Sequence, residues 1–313
     1  MKKMAFAAAT IVAAGFLASS ATAATFRTAV SVSGVDTNPC TPAAPCRTIS
    51  YALTQTSAGG EMFILSSGGY GTFTVTQAVT ITAPSGIIAA VSAASGDAIT
   101  VTAGTSDIVI LGGFLLDGLA GGGTNGVQVN SAGSVSINSS SITGFSGQGI
   151  NFVPNVGTGS ATLILSDTSI YNNTTGSLMF APVGGAANSN AGRAFIKGTG
   201  FISSQATFDT TNATGAISAQ IHDSRFRNIG GTGLVANGVN AGQVQLQLDN
   251  VNIYSVTNAF NVTGAATVTI GSSSISKVQT ISTTSNGGSV VSFGNNQMNF
   301  YTTLGTIGSR ALQ

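Results

Sequence analysis

The chain has no tryptophan, a single histidine, two cysteines, and charged residues at only 6% of its positions. Each shortage excludes something. Ten Lys and Arg, less Lys2 and Lys3, leave eight against nine Asp and Glu, a net charge near −1 once the N-terminal segment is removed. That is no basic face for nucleic acid. One histidine, His222, far in sequence from Cys40 and Cys46, does not supply the ligands of a zinc site. GxSxG, HExxH and a P-loop lysine are all missing. With five Tyr and no Trp, an aromatic platform for neutral sugar rings is thinly provided.

Residues 1–23 read as a signal peptide: a basic Met1-Lys2-Lys3 start, an apolar run over 5–17, and a small-x-small site at Ala21-Thr22-Ala23. The run is short for a bilayer and no stop-transfer segment follows. The expectation is an exported chain (periplasmic, extracellular or cell surface) starting at Ala24, with no membrane span after signal removal.

What the sequence has in quantity is a repeat. The phrase VQLQLDNVNI at 244–253 places inward apolar residues at every second position, then a small polar step, then a closing apolar residue. The pairs Ile110/Leu115, Ile137/Ile142, Leu165/Ile170, Ile196/Phe201, Ile221/Phe226, Leu248/Ile253, Ile270/Ile275 and Phe293/Met298 are each five residues apart. Successive copies step by 27, 28, 31, 25, 27, 22 and 23 residues. A fixed phrase in a variable period indicates stacked repeats whose loops absorb the length differences. Period-two alternation and β-branched residues make the phrase a strand. No copy carries a leucine set with a helix, and a propeller blade needs about forty residues. Each copy reads as one coil of a parallel β-helix, an all-β solenoid of about ten coils and roughly 50 Å at one strand spacing per coil. A solenoid has no natural internal boundary, so 24–313 is expected to be one domain: a cap over 24–58, coils over 59–298 and a tail over 299–313.

The cap segment, DTNPCTPAAPCRTISYALTQTSA at 36–58, breaks the pattern. In an exported protein a local Cys40–Cys46 disulfide is the favoured reading. Thr48 suits the N-cap of a short helix with Ile49, Ala52 and Leu53 on one face, a lid for an open solenoid end. This segment, followed by Gly60-Glu61, GGYGTF and AVTITAP, resembles the start of a family of secreted bacterial right-handed β-helix proteins with the pectin-lyase-like fold, in which an NPC…PCRT…AL cap leads into the first coils. The resemblance covers roughly residues 30–170. It implies right-handed winding and export more than any activity, because lyases, hydrolases, epimerases, tailspikes and adhesins share the fold.

Aligned copies give two outward columns. The first reads Leu111, Asn138, Ser166, Lys197, His222, Asp249, Gly271 and Gly294; the second reads Gly112, Ser139, Asp167, Gly198, Asp223, Asn250, Ser272 and Asn295. The small polar second column is expected at a turn. In the first, Lys197, His222 and Asp249 fall in consecutive coils. With Arg225, Arg227, Asp223, Tyr171 and Tyr254 they concentrate ionisable groups in a chain poor in them, which makes a candidate site. Arg225 or Arg227 suits a uronate carboxylate, and His222 or Lys197 suits proton transfer. The competing reading is a ladder of compensating surface charges.

The leading expectation is therefore a non-catalytic exported protein whose polar wall contacts a polysaccharide or cell-surface glycan, or mediates adhesion, with no cofactor. The alternative is a lyase, hydrolase or epimerase on an acidic glycan, with catalytic candidates Lys197, His222, Arg225, Arg227 and Asp249 and ligand-binding candidates Tyr171, Asp223 and Tyr254. Ca²⁺ enters only under the lyase alternative, which needs several converging carboxylates. An enzyme should have a groove beside this cluster, and the long insertion at 182–192 precedes it. The protein is expected to be a monomer or to associate end to end, depending on whether the tail covers the last coil.

Overall fold

The structure, a computed structural model, describes residues 24–239 and 242–310. The expected signal peptide lies outside the described residues.

Alternating β-branched and polar residues form short strands, and each strand lies parallel to its counterpart one repeat on. The first face is a 12-stranded sheet beginning with Thr25–Val30 and Thr56–Ile64 and ending with Ser289–Ser292 and Gly308–Ser309. The second and third faces belong to one 16-stranded sheet, because in later coils a strand runs unbroken around their shared corner, as in Arg225–Gly238 and Asn252–Gly264. About nine turns are complete. Parallel neighbours joined by such crossovers wind right-handed.

The inward columns fill the lumen. The pairs from Ile137/Ile142 to Ile270/Ile275 stack in register, Ile137 on Leu165, Leu165 on Ile196, Ile196 on Ile221, Ile221 on Leu248 and Leu248 on Ile270. On the second face Phe201 stacks on Phe226 with ring centroids 4.7 Å apart, and on the third Phe152 stacks on Phe180 at 4.9 Å. Offset stacking of this kind adds to the burial of the rings.

The first and last copies depart from the expected register. Ile137 pairs with Leu111, and Ile142 with Leu116, so the inward pair of the first copy is Leu111/Leu116 instead of Ile110/Leu115. The run Ile108–Gly112 is apolar throughout, and alternation cannot tell its two faces apart; Ile108 points outward at 58% exposure. In the last copy Ile270 pairs with Ser292, not Phe293, although Met298 does pair with Ile275. The outward columns shift accordingly: Gly112, not Leu111, aligns with Asn138.

Two corners turn on left-handed residues. At the first corner Ser139, Asp167, Asp223, Asn250 and Ser272 have φ between 49° and 51°, with Gly198 at 62°. At the second, Asn172, Asn228, Ser255 and Lys277 have φ of 54° or 55°. One residue later at the first corner, except at Val251, comes a buried hydroxyl that the repeat pattern gives no reason to expect. Ser140, Thr168, Thr199, Ser224 and Ser273 each donate to the carbonyl two residues earlier, at 2.8, 2.9, 3.2, 2.7 and 2.6 Å. Those of Ser140, Ser224 and Ser273 also accept a backbone N–H from the preceding coil, Phe114, Thr199 and Val251 respectively. The corner thus satisfies backbone groups that leave the sheet ladder there.

The N-terminal end is closed. Cys40 and Cys46 are disulfide-bonded, and helix α1 (Ile49–Gln55) starts at Thr48, whose Oγ1 accepts from the Tyr51 amide at 3.2 Å. Ile49 and Ala52 are buried and Leu53 packs on the core. Asp36 ties the cap together, accepting from the amides of Arg47 and Thr48 and from Thr48 Oγ1 at 2.8 to 2.9 Å. Burial opposes ionisation of Asp36, but the hydrogen bonds from Thr48 and Arg47 and the Arg47 charge outweigh it and hold the carboxyl below its usual range. Arg47 also donates to the Gly69 carbonyl, covering part of the first coil's edge. At the other end, strand pairing continues past residue 298 through Gln297–Thr303 and Gly308–Ser309, so the described part of the expected tail, 299–310, forms a further partial coil. Its outer residues Phe300, Tyr301 and Leu304 are exposed.

Candidate functional site

The column register places Lys197, His222 and Asp249 in adjoining strands Asn190–Lys197, Ala216–His222 and Val244–Asp249, each the direct partner of the next. Their side chains nonetheless pair across the corner as well as along the column. Lys197 Nζ lies 3.9 Å from Asp223 Oδ2, and His222 Nδ1 lies 3.8 Å from Asp249 Oδ2. Asp223 also accepts from Asn250 Nδ2 at 2.7 Å. Arg225 and Arg227 are exposed on the second face; Arg227 donates to Asn252 Oδ1 at 3.3 Å, and Arg225 lies over Gly200. Because Ile221, Ser224 and Phe226 point inward, His222, Asp223, Arg225 and Arg227 ride the outside of a convex corner.

Of the aromatic candidates, Tyr254 is the partner of Arg227, and the Lys277 ammonium of the following coil lies 5.1 Å from its ring centroid. Tyr171 is not brought to the cluster. It pairs with Ile202, which in turn pairs with Arg227, so it stands two coils away. Nor does the insertion at 182–192 wall the cluster. Val183–Gly184 pairs with Asn155–Gly157, and the segment enters Asn190–Lys197 at the end opposite Lys197.

The carboxylates do not form the set a Ca²⁺-dependent lyase would use. Among the described residues no three His, Cys, Asp or Glu side chains converge, and Asp223 and Asp249 are engaged with Lys197, Asn250 and His222. The residues present do not fit that ion.

A groove of about 700 Å³ opens instead on the first face. Its floor is made by two outward columns, Arg193–Ser218–Gln245–Thr267 and Phe195–Gln220–Gln247–Thr269, in register across four strands. Its aromatic members are Phe195, 42% exposed, and Phe293, while Arg193 and Arg310 supply its cations. Nothing in the sequence pattern marks this face, because its residues recur singly in strands that otherwise read as polar filler.

No protein-family model matches the chain, and no curated protein matches it. Among solved structures, pectate lyase Pel9A is similar, with a TM-score of 0.60 and 14% identity over 93% of this chain and 80% of that one. At that identity the likeness is one of fold. Among the described residues no helix is long and apolar enough to cross a membrane. The chain has the right-handed parallel β-helix of the pectin-lyase-like fold.

Proposed function

We propose that this protein is an exported, non-catalytic β-helix that holds an acidic polysaccharide or cell-surface glycan along its first face. The observation that carries the reading is the groove in which Arg193, Phe195, Gln220, Gln247 and Arg310 line one continuous surface. An apolar ring offers contact to the face of a sugar, amides meet hydroxyls, and guanidinium groups pair with carboxylates in bidentate fashion. Strands stacked at roughly 4.8 Å set these groups in successive rows along an extended chain. Export agrees with the Cys40–Cys46 disulfide, since such bonds persist in oxidising compartments.

The lyase, hydrolase or epimerase alternative has less support. Its candidates ride a convex corner, where Lys197 is paired with Asp223 and His222 with Asp249, and a general acid or base needs reach to a bound substrate. No cofactor is required by the binding reading.

The test is a screen of purified protein against polygalacturonate, alginate and hyaluronan, with and without Ca²⁺. Binding, reducing ends and unsaturated-uronate absorbance are followed together. Binding without turnover, weakened about tenfold or more in Arg193→Ala or Phe195→Ala, is the expected result. Turnover that disappears in His222→Ala or Arg227→Ala would overturn it.

A further inference from the structure

The second coil treats the first corner differently from those that follow. Instead of turning on one left-handed residue, it carries residues 84–88 outward, with Gly86 at φ 89° and the Ile87 amide closing a turn on the Pro84 carbonyl at 3.0 Å. The excursion is pinned at its end, where the Ile88 amide donates to Ser67 Oγ and the Gly68 amide to the Ile88 carbonyl, both at 3.0 Å. Beside it the corner is low, because Gly112, Gly113, Ser139 and Ser141 put little side chain there. A wall next to a low floor leaves a groove of about 900 Å³, bounded on the far side by Asp167 and Tyr171.

The lining has a specific chemistry. Pro84 and Ile88 present an apolar wall, with Ile88 55% exposed. Tyr171 OH accepts from Ser141 Oγ of the preceding coil at 3.4 Å, which ties this side chain to that coil at the rim of the groove. Among the described residues, the side chains of Asn138, Ser139, Asp167 and Ser169 have no protein hydrogen-bond partner. Asp223, at the same corner position as Asp167, is by contrast taken up by Asn250 and Lys197. The lining includes one carboxylate and no Lys, Arg or His.

We propose that this corner groove binds a neutral oligosaccharide. A sugar ring has an apolar C–H face and a rim of hydroxyls. The Tyr171 ring and the Ile88 wall suit the face; Asn138, Asp167 and the two serines suit the rim. Among the described residues the Asp167 carboxylate forms no ion pair, because the ammonium of Lys197 in the adjoining coil is turned to Asp223 on the far side; it therefore repels the carboxylates of a uronate chain, and ligand charge separates this groove from the first-face groove. The inference extends glycan contact to a second place with different selectivity, and the two readings fail separately.

The experiment titrates the whole protein with cellohexaose, xylohexaose and mannohexaose, and with oligogalacturonate as the charged comparison. Tyrosine fluorescence reports the binding directly, since the chain has no Trp and five Tyr; calorimetry supplies the affinity. At least one neutral oligosaccharide is expected to bind. Tyr171→Ala weakens it about tenfold and Tyr171→Phe much less, while Arg193→Ala leaves it unchanged. Asp167→Asn is expected to admit oligogalacturonate to this groove. Circular dichroism confirms that each variant is folded, and Tyr171→Phe keeps the ring if Tyr171→Ala does not fold. No neutral ligand binding at millimolar concentration, binding indifferent to Tyr171→Ala in a folded variant, or neutral binding lost with Arg193→Ala would each overturn the proposal.

Discussion

His222 Nδ1 and Asp249 Oδ2 stand 3.8 Å apart because the two residues are direct partners in adjoining strands of the first face. Lys197, the next partner in that column, turns instead to Asp223 across the corner. One column of ionisable residues therefore resolves into short-range pairs, each satisfied by a neighbouring coil.

These pairs lie in solvent, with Lys197 73% exposed and Asp249 49%. Exposed ion pairs contribute about 0–1 kcal/mol. Lys197→Ala and Asp249→Asn are expected to lower the unfolding free energy from urea titration by no more than that, and a larger loss in either would mean the column is braced in a way the pairs do not explain.

Asp223 sits at φ 51°, where neighbouring coils have Gly198 and Asn250. Asp223→Asn and Asp223→Gly should be nearly neutral. Asp223→Val puts a β-branched residue in the left-handed region and should cost about 1–2 kcal/mol, read from denaturant unfolding.

The cap carboxylate Asp36 has its pKa lowered in the folded chain from an ordinary 3.8. A depressed folded pKa gives stability that is complete above the unfolded value and lost as pH falls through the folded one. Melting curves between pH 5 and pH 2, values chosen to bracket that ordinary pKa, should show a decline below about pH 4. Asp36→Asn should start less stable at pH 5 and show a shallower decline.

Ser224 Oγ donates to the His222 carbonyl at 2.7 Å and accepts from the Thr199 amide at 3.2 Å. Ser224→Ala leaves that amide buried without an acceptor, which costs about 1–3 kcal/mol. Hydrogen exchange should speed up at Thr199, while the third-face amide of Val235 keeps its protection.

Much of the fold is legible in the amino-acid order alone. Thr48 as helix cap, Cys40 with Cys46, and the inward pairs from Ile137/Ile142 to Ile270/Ile275 follow from local chemistry and spacing. The register misleads where alternation fails, in the apolar run Ile108–Gly112 and near Phe293. Spacing puts Lys197, His222 and Asp249 in their correct order, but Tyr171 belongs away from that column, beside the 84–88 excursion.

The strand phrase, its repetition and the closed N-terminal end are properties of the amino-acid order, because a two-residue period, a cap hydroxyl and a short cysteine loop act within a few residues of one another. Which surface residues meet is fixed only when the coils stack. Coils of unequal length bring together side chains about 25 residues apart, and the lateral offset between coils is set by packing in the lumen. That offset pairs Lys197 with Asp223, aligns Phe195 with Gln220 and Gln247, and leaves Tyr171 facing an open groove.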